Sequence, residues 1–125
     1  MDITLKFITP VIAFLLTLVF GFWLGRSGKP YNGVLFNIHK LIALGAVILI
    51  TMQIYNALKI MEINTLIVIM IVIAAICAIA LFASGAFMSI GNHNYQIMKF
   101  IHNVAPVLLV IAMAFTIFLL FWRKL

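Results

Sequence analysis

Residues 64–88 read NTLIVIMIVIAAICAIALFASGAFM, an apolar run without a single Asp, Glu, Lys or Arg. About 20 residues of helix cross a hydrocarbon core, and soluble strands are far shorter than this run. In lipid, every backbone N–H and C=O must find a partner inside its own segment, so the run is read as a transmembrane helix. Three more runs are long enough to span: 7–25, 34–57 and 97–122, the last two each with one lysine.

Composition points the same way. The chain is 67% hydrophobic and only 8% charged, against about 45–50% and about 25% in a soluble domain. An ordinary soluble domain is excluded. The connections are short: 26–33 (RSGKPYNG), 58–63 (LKIMEI) and 89–96 (SIGNHNYQ). None is long enough to fold alone, so residues 1–125 are expected to form one transmembrane domain. Short loops force neighbouring helices to run antiparallel, giving an all-α, up-down-up-down four-helix bundle. The first run is too long for a signal peptide, and no small-residue cleavage site follows it. The expected location is a prokaryotic plasma membrane, crossed several times.

The net charge of +6 is carried by basic residues at the span ends. That placement suits lipid headgroups or a bound anion, whereas nucleic acid would need a basic surface that the chain lacks. In the expected topology one face carries Arg26, Lys29, Lys40 and Lys99 without an acid. The other carries Lys6, Lys59, Arg123 and Lys124 with Asp2 and Glu62. Lys and Arg tie at four each, so the positive-inside rule assigns no orientation. Cys77 is the only cysteine; it excludes an internal disulfide and reads as helix packing. Gly21 and Gly25 form a GxxxG, and Ala74, Ala78 and Gly85 give the third span a partly small face, which lets helices approach closely. Trp23, Tyr31, Tyr55, Tyr95 and Trp122 lie near span ends, as interfacial aromatics do.

Two histidines interrupt the apolar pattern: His39 in the second span and His102 in the fourth. In an up-down bundle those spans are parallel. Each histidine lies about five residues in, roughly 8 Å along its helix at 1.5 Å per residue. One helical face runs from His39 through Ala43, Ala46, Ile50 and Gln53. The other runs from His102 through Ala105, Pro106, Leu109, Met113 and Thr116. Compact residues one turn beyond each imidazole are expected to leave room for a flat ligand. Ionisable groups inside spans are costly and usually face a functional interior.

Two neutral imidazoles at equal depth are what a haem iron needs as axial ligands. Bis-histidine ligation leaves no open iron position, so such a centre passes electrons rather than activating oxygen. The acid-free basic face suits the two haem propionates. Lys40 and Lys99 are nearest in sequence to the histidines, with Arg26 on the same face; the plainer reading of the lysines is snorkelling to headgroups. His93, within GNHNY, reads as a solvated loop residue. A transition-metal site built from His39, His93 and His102 would need that loop to fold inward and would lack a carboxylate or thiolate.

The stretches NIHKLIALG (37–45) and KFIHNVAP (99–106) resemble the histidine-bearing helices of small four-helix membrane b-type cytochromes of the b561 and b558 kind. The resemblance covers mainly the second and fourth spans. It implies haem b as the cofactor and a quinol-type carrier or redox protein as the partner, and it leaves oligomer formation open. Members of the b561 type hold two haems, one near each membrane face; this sequence has one histidine pair, so a single haem b is implied. The competing readings are a non-catalytic accessory or assembly subunit and a small transporter. A proton-coupled exporter of four helices needs a membrane-embedded carboxylate, and the only acids here are Asp2 and Glu62.

Overall fold

The computed structural model describes residues 3–91 and 94–122. It contains four helices: α1 (Ile3–Ser27), α2 (Gly33–Leu58), α3 (Thr65–Ile90) and α4 (Tyr95–Trp122). All four are long and apolar enough to cross a membrane. Each expected span lies almost wholly inside one helix, and the differences sit at the ends.

Those differences have local causes. Asn32 takes an extended conformation, and its side-chain oxygen accepts from the backbone N–H of Val34 (2.9 Å) and Leu35 (3.3 Å). It therefore starts α2 at Gly33. Asn64, expected as the first residue of the third span, stands outside the helix as its cap and accepts from Ile67 N–H at 2.8 Å. An asparagine at this place satisfies donors that the first turn leaves open. Gly91 closes α3 with φ of 77° and donates its N–H to Phe87 O. That left-handed conformation is cheap only for glycine, and it carries α3 two residues past Met88.

The chain forms two compact units, Met1–Ile60 and Met61–Leu125. The first is a hairpin of α1 and α2, the second a hairpin of α3 and α4. In the first unit, late residues of α1 meet early residues of α2, as His39 reaches Thr17. Early residues of α1 meet late ones of α2, with Lys6 and Phe7 lining a small pocket beside Gln53, Asn56, Ala57 and Ile60. Phe7, Pro10, Thr17 and Leu24 are the buried stripe of α1; Ala46 and Ala57 are that of α2. In the second unit the stripes are Ile67, Ala74, Cys77 and Ser84 on α3 and Ala105, Leu109, Ala112, Thr116 and Leu120 on α4. Steps of three, four, seven and eleven residues keep each stripe on one helical face.

The outward faces are as apolar as the seams. Phe22, Leu41, Ile79 and Phe100 are all more than 65% exposed. A soluble hairpin would place polar groups there.

The glycine pair of α1 does not act as a pair. A Cβ on Gly21 would run into the His39 ring, whereas one on Gly25 would meet nothing within 4 Å. The expectation of a GxxxG contact is corrected to one close approach, at Gly21. The partner there is a side chain, not a second backbone.

Candidate functional site: two anchored imidazoles

His39 is the seventh residue of α2 and His102 the eighth of α4. Both helices begin earlier than expected, so the rings lie about 9 and 10 Å from the helix starts at 1.5 Å per residue.

In the first hairpin, His39 Nδ1 lies 3.0 Å from Thr17 O. A carbonyl only accepts, so Nδ1 carries the proton and donates. The neutral ring then has its lone pair on Nε2. The ring reaches a helix carbonyl because of Gly21. A helical side chain leans toward the N-terminus and covers the preceding turn. With no side chain at position 21, the backbone at Thr17, four residues earlier, is uncovered. The ring fills the gap: a Cβ on Gly21 would lie 2.8 Å from His39 Cε1 and 3.2 Å from Nδ1.

The second hairpin repeats this arrangement. His102 Nδ1 lies 3.1 Å from Leu81 O, and Leu81 stands four residues before Gly85. A Cβ on Gly85 would lie 3.1 Å from His102 Cε1. Donor and acceptor are 22 residues apart in the first hairpin and 21 in the second. Ser84 adds a further contact to His102. Its hydroxyl oxygen lies 3.0 Å from His102 Nδ1 and 3.1 Å from Leu81 O. The residue before the glycine is Phe20 in one hairpin and Ser84 in the other.

The residues expected to line a ligand divide into two groups. Ala46 and Ala105 are buried, at 4% and 5% exposure. They lie on the same stripes as the anchored histidines, where small size lets the paired helices approach. Ala43 and Pro106 are half-buried and keep part of their surface open.

Arg26, Lys40 and Lys99 are exposed and lie toward the turn ends of the hairpins, where the half-buried histidines also lie. Lys40 Nζ sits 4.6 Å from the centre of the Phe36 ring, and the Arg26 guanidinium 5.8 Å from that of Phe22. Each cation thus rests on an aromatic residue one turn earlier. His93 lies outside the described residues. Among the described residues no group of three or more His, Cys, Asp or Glu side chains gathers as a metal site.

Sequence reasoning found both histidines and treated Gly21 and Gly85 as packing residues. It missed the carbonyl partners and Ser84. The available signal was a polar Ser beside a Gly, four residues from the end of an otherwise apolar run.

No family model matches the chain, and comparison with curated proteins and solved structures finds no similar protein.

Proposed function

We propose that the chain is a multi-pass protein of a prokaryotic plasma membrane, an up-down-up-down bundle that holds one haem b through His39 and His102. It carries single electrons to or from a quinol-type membrane carrier or a redox protein. The observation that carries this reading is the matched anchoring of the imidazoles. Each ring donates from Nδ1 to a carbonyl of the preceding helix, which leaves the basic lone pair on Nε2. A histidine that ligates a metal almost always donates its other ring nitrogen to such a partner, which fixes tautomer and orientation. An incidental histidine has no reason to repeat the arrangement in two hairpins.

The donor set fits haem. Two neutral nitrogen ligands suit iron, and apolar helix faces suit a porphyrin plane. Bound through both histidines, haem b supplies reversible one-electron chemistry without a change of ligands. The chain's own residues do the rest. Thr17 O and Leu81 O orient the rings, while Gly21 and Gly85 give the rings their space. Ala43 and Pro106 are the proposed apolar contacts, with Ala46 and Ala105 behind them in the seams. Arg26, Lys40 and Lys99 are the proposed partners of the propionates. Lys40 and Arg26 now lean on aromatic rings, and long flexible stems let them swing to an anion.

Membrane insertion is supported by four spans with apolar outer faces. The test is an absorption spectrum of the purified chain after expression with ample haem. The expected result is a low-spin Soret band that sharpens and shifts on reduction, lost or converted in both His39→Ala and His102→Ala and kept in His93→Ala. Wild-type reduced spectra in both histidine variants would place the ligands elsewhere. Absence of any Soret band in the wild type would favour an accessory subunit.

A further inference from the structure

A buried hydroxyl, that of Ser84, reaches the His102 ring. Around His102, three heavy atoms form a triangle: Nδ1, Leu81 O and Ser84 Oγ, with sides of 3.0, 3.1 and 3.1 Å. Only two protons are available to join them. Leu81 O can only accept. Ser84 is a helical serine that turns back on the carbonyl three residues earlier, which uses its single proton. Its oxygen therefore faces Nδ1 as an acceptor. The imidazole N–H is then shared between Leu81 O and Ser84 Oγ. The reverse assignment, with Ser84 donating to Nδ1, would set the Nδ1 and Leu81 lone pairs against each other and leave both contacts to Leu81 O without a proton.

Ser84 is 2% exposed, so water does not compete for this oxygen. In the first hairpin, His39 Nδ1 meets the Thr17 carbonyl. The Thr17 hydroxyl is turned away, donating to Ala13 O at 2.9 Å.

We propose that Ser84 is a positioning residue that makes the His102 imidazole more electron-rich than the Leu81 carbonyl alone would. A second acceptor on Nδ1–H draws that proton away from the ring and raises the basicity of Nε2, as outer partners of metal-bound histidines do. This rests on the haem reading. With haem bound, a more basic ligand favours the ferric state, so Ser84 holds the midpoint potential down.

The experiment uses the full chain and three variants. Ser84→Ala removes the acceptor with little change of volume. Ser84→Thr keeps the hydroxyl. Thr116→Val removes another fully buried hydroxyl, on the same helix as His102, that donates to Ala112 O. Redox titration is expected to show an upward shift in Ser84→Ala, a return toward wild type in Ser84→Thr and no shift in Thr116→Val. A second readout needs no haem. With ¹⁵N-labelled histidine, the His102 Nδ1 resonance is expected to move in Ser84→Ala while that of His39 stays in place. An unmoved potential in haem-loaded Ser84→Ala overturns the proposal, as does an equal shift in Thr116→Val. A wild type without haem defeats the cytochrome reading instead, and the nitrogen resonances then decide alone whether Ser84 acts on His102: an unmoved His102 resonance overturns it.

Discussion

The His39 ring occupies the volume that a side chain at position 21 would need, with Cε1 only 2.8 Å from where a Cβ on Gly21 would stand. Carbon atoms do not rest at that distance, so either the ring or the helix pair must move when position 21 gains a methyl group. Overfilling a packed site costs about 1–3 kcal/mol. Gly21→Ala is therefore expected to break the His39–Thr17 hydrogen bond and reduce haem retention. Gly85→Ala meets His102 at 3.1 Å and should have a weaker effect of the same kind. Haem-to-protein ratios of the two variants check the order; equal retention in both and in the wild type would argue against the notches.

Gly25 provides the contrast. A Cβ there has open space, and Ala in place of Gly inside a helix stabilises by roughly 0.5–1 kcal/mol. Gly25→Ala is expected to keep the wild-type spectrum and raise the thermal unfolding midpoint in detergent. A loss of haem in this variant would show that position 25 meets a partner.

Lys40→Ala and Lys99→Ala are expected to retain full haem content and lower the midpoint potential. Removing a cation near the propionates disfavours the added electron. The contact is partly solvated, so the difference from wild type should shrink as salt rises and the Debye length falls below about 10 Å. Redox titrations at two ionic strengths check this; ejection of haem by either variant would mean that the lysines hold it in place.

Asn64→Ala is expected to destabilise the second hairpin by about 1 kcal/mol, the usual cost of losing a helix cap. The Asn64 side chain holds one N–H at 2.8 Å. Asn32 holds two, at 2.9 and 3.3 Å, so Asn32→Ala should cost at least as much in the first hairpin. Unfolding midpoints of the two variants test the comparison.

The four helices were legible because a run of about 20 apolar residues with at most one charge is a long, redundant signal. Their ends were not, because one capping residue decides each. Asn64 looks like the first polar residue of a span, and only its extended backbone makes it the cap. The histidines were legible as rare letters in an apolar text. Their anchors were not, since a carbonyl acceptor is written by no particular residue: Thr17 and Leu81 share nothing but a glycine four places on. The same silence hid the difference between Gly21 and Gly25. A spacing of four puts both on one face, and only the position of His39 shows which one the partner helix reaches.

The hydrogen bond from His39 to Thr17 closes entirely within the first sixty residues, and that from His102 to Leu81 within the remainder. Each of these two bonds is made within a single hairpin. During synthesis the N-terminal half of a chain can organise before the rest has emerged. The His39–Thr17 bond can therefore form while His102 is still untranslated. A haem bound as proposed would meet rings already held by their carbonyl partners, and capture would not have to repay that entropy.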